Sequence, residues 1–392
     1  MKLQINILFS ILIVCLVSCT KSPKIGSDQQ NSFVKFFGGS TLDVGSGVVQ
    51  CPDGGFAITG TILTPGNSTQ AFLIRTDING NEYPWSPLYI GYTLNTSLNT
   101  KGYHILLTSD GNFLITGSVQ VSSNNNDVLV TKISSAGNII WSYKFGGSGN
   151  DEGYCSLEYP NGNYIIGGYT ESSPYNIFGG KDELILNLDV HGNILGQPNT
   201  YGSSKDDWCN QILKFGNNLL LIGTTYGYQL SDTIPNMDLI LISTSGTKLG
   251  VTNYGGLIKT TGKKGVMLND SSIIIMGNQD STRIYMVNIS GNVYNAVWKK
   301  NIQSTYNELG NDILNYNEQL IIMGSIQATA YKNFLIQPLD SAGNLIPAVT
   351  TNTNASQIIN SGIVSSDSHL VFTGQNIVAG VSQIVLVKTN LP

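Results

Sequence analysis

A short apolar run closed by glycine recurs along this chain. It reads Phe56-Ala57-Ile58-Thr59-Gly60, then Phe113-Leu114-Ile115-Thr116-Gly117, then Tyr164-Ile165-Ile166-Gly167-Gly168. It returns at residues 219–223, 273–277, 320–324 and 370–374, so the closing glycines stand 47 to 57 residues apart. That period suits propeller blades and is too long for leucine-rich or ankyrin repeats.

Turn signals precede the runs: Asp53-Gly54-Gly55, Asp110-Gly111-Asn112, Asn161-Gly162-Asn163 and Gly216-Asn217-Asn218. Gly, Asn and Asp accept the positive φ of tight hairpins, so two apolar strands joined by a turn open each unit. A third strand ends in a further turn, as at Gly80-Asn81, Gly137-Asn138, Gly192-Asn193 and Gly343-Asn344. A fourth follows, for instance residues 139–145, closed by Gly146-Gly147. Four antiparallel strands per unit predict an all-β chain folded as a seven-bladed β-propeller. The seventh unit stops after its third strand. Its missing strand stands at the other end, where residues 33–40 (FVKFFGGS) align with residues 141–148 (WSYKFGGS). The N-terminal strand is therefore expected to close the ring and remove its open edges, burying Phe33, Phe36 and Phe37.

Residues 145–151 (FGGSGND) and 161–170 (NGNYIIGGYT) resemble the repeat of secreted bacterial β-propeller proteins common in Bacteroidetes, the SBBP-like group. The resemblance spans about residues 32–390 and is clearest in the first, third and fourth blades. It implies an exported or surface-tethered propeller without assigned catalysis. It speaks to fold and location and carries almost no chemistry.

The N-terminus has Lys2 and then an apolar run of about 13 residues, where a spanning helix needs roughly 20. That is the pattern of an export signal. Leu16-Val17-Ser18-Cys19 resembles the lipobox of bacterial lipoproteins, which implies cleavage after Ser18 and lipidation of Cys19. An ordinary signal peptide with a chance cysteine is the alternative. Residues 20–31 are polar and read as a flexible tether. The expected layout is a signal over 1–18, a lipidated tether over 19–31 and a propeller over 32–392. The expected address is the bacterial cell envelope, with the outer membrane as the anchoring membrane.

Only 11% of the residues are charged, the net charge is −5 and no basic run occurs, which argues against a nucleic-acid partner. Beyond the leader, Cys51, Cys155 and Cys209 match no zinc spacing. Export permits a disulfide, but three buried thiols are the simpler reading. The segment Asp77-Ile78-Asn79-Gly80-Asn81-Glu82 has the look of a calcium loop, yet its glycine is misplaced and a hairpin turn explains every copy. No metal and no cofactor are expected.

Candidate chemistry lies in the loops. Asp43, Asp151 and Asp206 each stand 13 residues before a second-strand run, with Glu152 and Asp207 following two of them. They suit either a carboxylate group around the channel or Asx-type turns, and recurrence in register favours the turns. Tyr169, Tyr175, Phe178, Tyr226 and Tyr228, near Trp208, suit carbohydrate or protein contact; folding back onto their own blades is the alternative. Trp85, Trp141 and Trp298 read as packing between blades. The resulting expectation is a non-catalytic binding lipoprotein that recognises a protein or glycan on its loop face. The alternative is a polysaccharide hydrolase or lyase using the channel-face carboxylates.

Overall fold

The second strand of each unit is apolar along its length because both of its faces are covered. Tyr164–Thr170 is buried throughout, whereas the outermost strands Phe33–Ser40 and Ala296–Ile302 alternate between half-buried and exposed positions. This is the period of two expected of a strand with one free face. A computed structural model describes residues 32–392 apart from 65, 92–97, 177, 228–232, 270, 303–305 and 329. The signal, Cys19, the tether and Tyr228 lie outside the described residues.

The strands form seven four-stranded antiparallel sheets, the blades of a β-propeller. In blades 1 to 6 (residues 44–90, 100–145, 151–201, 207–254, 260–302 and 307–350) the chain runs outward from the inner strand through four consecutive strands. The seventh is composite: Ser356–Val364, His369–Val378 and Val381–Asn390 take Phe33–Ser40 as their outermost strand. Phe33 pairs with Lys388 and Phe37 with Ile384. The N-terminal strand closes the ring. Its register also corrects the expected burial. Phe33 and Phe37 face the core shared by blades 7 and 1, beside Phe56, Phe72 and Ile384. Phe36 lies on the opposite side of the pleat and is 49% exposed.

Aromatic side chains on the outer edge join neighbouring blades. Trp85, Trp141, Trp298 and Phe33 each cover a turn glycine of the next blade, at Gly137, Gly192, Gly343 and Gly80 respectively. These glycines have φ between +75° and +85°, and a Cβ there would meet the covering ring at 2.6–2.8 Å. The hairpin signal is thus also a packing signal.

Blades 1, 2 and 7 share an ionic staple. A buried cation on the third strand reaches an aspartate of the hairpin between the first two strands: Arg75–Asp53 at 2.5 Å, Lys132–Asp110 at 2.6 Å and Lys388–Asp367 at 2.6 Å. Burial works against the charge of Asp53, Asp110 and Asp367. The cation's hydrogen bond and the other donors of the turn together outweigh it and hold each carboxyl below its ordinary range.

Candidate functional site

Each inner strand carries a β-bulge at the same height. The extra residues are Ser46, Tyr103, Tyr154, Asn210, Lys263, Asn311 and Asn360, one per blade. All seven line one cavity of about 300 Å³ at the centre of the ring, together with His104, Lys264 and Ser361. A bulge re-aims side chains locally, and here it does so once per blade.

The bulge also accounts for the repeat's glycine. That glycine is interior to the second strand and pairs with the residue just before the bulge, as in Gly60 with Gly45, Gly117 with Gly102 and Gly168 with Gly153. A Cβ on Gly117 or Gly168 would sit 1.8 Å from the carbonyl oxygen of Lys101 or Glu152. No other residue fits so close to backbone. The asparagines of the ring then bridge blades. Asn210 Nδ2 donates to Gly262 O (2.7 Å), Asn311 Nδ2 to Ile359 O (2.8 Å) and Asn360 Nδ2 to Gly45 O (2.9 Å).

The in-register carboxylates serve their own loops. Asp43 accepts the N–H groups of Gly39 (2.7 Å), Ser40 (2.9 Å) and Leu63 (2.9 Å). Asp151 accepts Gly147 N–H (3.1 Å) and the hydroxyls of Thr170 and Ser172, the latter at 2.6 Å. In blade 4 the equivalent residue is Asp207, which accepts Ser203 N–H (2.6 Å) and Oγ–H (2.8 Å). Asp206, placed in this register by its spacing, is exposed and accepts Lys181 N–H at 3.1 Å. The spacing misleads because the hairpin of blade 4 is one residue shorter: Lys214 pairs with Leu219, where blade 3 pairs Glu158 with Tyr164. The calcium-like loop is likewise a turn, with Asp77 capping Asn79 and Asn81 N–H at 2.8 Å each.

Glu152 is drawn to the ring of bulge residues. It accepts the hydroxyls of Tyr154 (2.9 Å) and Tyr103 (3.3 Å), whose rings meet edge-on at 5.3 Å. Tyr169 packs against Tyr154 with its ring 5.8 Å away, and Lys181 Nζ lies 4.0 Å from its ring centre. Tyr175 folds onto Phe145 of the preceding blade, at 5.1 Å. Trp208 and Tyr226 form a half-buried pair at 6.0 Å. Glu152 and Tyr169 thus converge near the channel, while Trp208 and Tyr226 make a separate ledge. Sequence reasoning missed the bulge ring. Its available signal was the glycine before the extra residue, at Gly45, Gly102, Gly153, Gly262 and Gly310.

Between blades 3 and 4 lie the buried acids Glu183, Asp207 and Asp238. Burial raises all three carboxyls; repulsion from Asp238 and Asp207 adds to it at Glu183, and repulsion from Asp207 at Asp238, which is pushed up to about 8. Gly223 leaves the room for Glu183, since a Cβ there would lie 2.2 Å from Glu183 Oε1. Among the described residues no cluster of His, Cys, Asp or Glu has the geometry to hold a metal ion. Cys51, Cys155 and Cys209 are buried free thiols, and Cys155 and Cys209 both border Gly167.

No protein-family model matches the chain, and no curated protein matches its sequence. Solved structures do resemble it. Hydrazine synthase of Kuenenia stuttgartiensis aligns with TM-score 0.56 and 10% identity over 88% of this chain and 96% of that one. The periplasmic gluconolactonase PpgL of Pseudomonas aeruginosa aligns with TM-score 0.54 and 10% identity, over 83% and 87%. A Dyadobacter fermentans protein of unknown function aligns with TM-score 0.50 and 10% identity, over 74% and 93%. Identities this low speak to fold alone. What these likenesses share with the chain's own strand order is the architecture: this protein is a seven-bladed β-propeller.

Proposed function

We propose that this protein is a lipid-anchored, non-catalytic binding protein of the bacterial envelope, holding a protein or glycan partner on the loop face of its propeller. The observation that carries this reading is the state of the recurrent carboxylates. Asp43, Asp151 and Asp207 are buried and held by donors of their own and adjoining loops, so none is presented as a free acid or base. The ledge of Trp208 and Tyr226, with exposed Phe178 and Asp206 on nearby loops, offers aromatic and hydrogen-bonding contact instead. The lipobox-like tetrad ending in Cys19 and the SBBP-like repeat support the address.

The test pairs a glycan array with product analysis on the same polysaccharides. Retention without released sugar is expected, with Trp208→Ala weakening retention. Sugar release that disappears in Asp207→Asn would replace this reading with a hydrolase or lyase. For the anchor, Cys19→Ala should move the protein from the membrane to the soluble fraction, because a lipidated N-terminus is what holds it there. A cleaved variant that stays with the membrane would refute the lipoprotein assignment.

A further inference from the structure

Consecutive residues of a regular strand point to opposite faces, but at a bulge both can be turned to one side. In blade 5 that pair is Lys263 and Lys264, and both line the central cavity. Among the described residues neither ammonium forms an ion pair. We propose that the channel is a binding site for a small hydroxylated organic anion, of the sugar-acid or sugar-phosphate kind, held by Lys263 and Lys264. The proposal goes beyond the loop-face reading above, because the channel is a separate site.

Two like charges side by side in a narrow cavity repel each other, and an anion between them relieves the repulsion. Burial and the neighbouring Lys264 charge together push the Lys263 ammonium below its ordinary range. The carboxylate whose charge couples to Lys264, Asp312, does not line the cavity. Its oxygens take the N–H groups of Gly362 and Ile313, each at 2.9 Å. His104 adds no positive charge, since burial and Lys264 hold it down at about 3. Glu152, near the same ring, has its charge covered by the hydroxyls of Tyr103 and Tyr154.

The rest of the wall selects for hydroxyl groups. Asn210, Asn311 and Asn360 each donate one amide hydrogen to the carbonyl of the next blade. Asn311 Nδ2 also reaches Asn360 Oδ1 at 3.5 Å, which leaves Asn210 with a second hydrogen and a carbonyl oxygen, Asn360 with a second hydrogen and Asn311 with a carbonyl oxygen to offer. At about 300 Å³ the cavity lies at the small end of ligand sites, which suits a single sugar unit better than a chain.

Calorimetric titration of the full-length protein tests this with glucuronate, glucose 6-phosphate, inorganic phosphate and glucose. Glucuronate, glucose 6-phosphate or both should bind, glucose should not, and affinity should fall as salt rises. The tighter of the two anions identifies the source as carboxylate or phosphate. Lys263→Met and Lys264→Met should each weaken binding by roughly tenfold or more. Their ligand-free melting temperatures should be unchanged or higher, because each removes a like-charge contact. Absence of binding by both sugar anions, equal binding of glucose, or undiminished affinity in both variants would overturn the proposal. Inorganic phosphate binding as tightly as the sugar anions would overturn its hydroxylated part. Spectra of the recovered ligand separate the two readings. A converted ligand defeats the non-catalytic function and leaves the site standing, whereas no binding defeats the site and leaves the loop face untouched.

Discussion

In blades 1, 2 and 7 a buried cation meets an aspartate at the rim, and the pair holds a hairpin to the third strand. Where blades 3 and 4 meet, Glu183, Asp207 and Asp238 are buried together, with no ion-pair partner among the described residues. The first arrangement lowers the carboxyl pKa and the second raises it, so the two regions answer pH in opposite directions. A lowered carboxyl contributes stability that is present above its unfolded value, near 4, and is lost as pH falls. A raised one contributes stability that is full below that value and is lost as pH climbs toward the folded value, about 8 for Asp238. The stapled aspartates stay one-third to one-half exposed and only their cations are buried, whereas the three acids are buried themselves. Exposure and a counter-charge together decide the sign.

The largest test removes the strand that completes a stapled blade. Deleting residues 32–40 strips the outer strand from blade 7, together with the packing of Phe33 and Phe37. The expected loss is about 5 kcal/mol or more, enough to unfold a typical domain in a thermal melt. Deleting residues 20–31 instead should leave the melt unchanged, and equal melts for the two truncations would mean that this strand does not close the ring.

Next comes the staple itself. Asp367→Ala leaves Lys388, only 1% exposed at its side chain, without its carboxylate and should cost about 3 kcal/mol in denaturant unfolding. Lys388→Met, which removes the buried charge as well, should cost clearly less. If the order were reversed, the pair would matter for packing and not for charge. Opposite in sign, Glu183→Gln should stabilise by about 1–2 kcal/mol at pH 8, because its amide can donate to the neighbouring acids, and should do little at pH 5. The smallest expected effect is in the wild type, whose melting temperature should be a few degrees higher near pH 5 than near pH 8. Glu183→Gln should flatten that slope. A wild-type melt that rises steadily to pH 8 would show that the three acids are not repelling one another.

Much of this architecture was readable beforehand. Apolar runs, hairpin residues and the period determined a seven-bladed ring, and the match between residues 33–40 and 141–148 located its closure. These features are local, because strand and turn preferences depend on a residue's immediate neighbours. The repeat glycine was visible as a marker while its cause was not. Only the pairing of Gly117 with Gly102 brings Lys101 O to where a Cβ would stand. Asp206 and Asp207 could not be told apart by counting, because one residue fewer in a hairpin shifts the register. Likewise Phe36 and Phe37 differ in burial only through which side of the pleat faces blade 1. The channel depended on tertiary structure most of all. Ser46, Tyr103, Tyr154, Asn210, Lys263, Asn311 and Asn360 are spread over more than 300 residues of sequence and meet because seven bulges share one height around a closed ring. Repetition in the sequence determined the scaffold, since every blade must solve the same packing problem. Within the ring of bulge residues the charged pair, Lys263 beside Lys264, becomes a site only when closure turns seven inner strands toward a common axis.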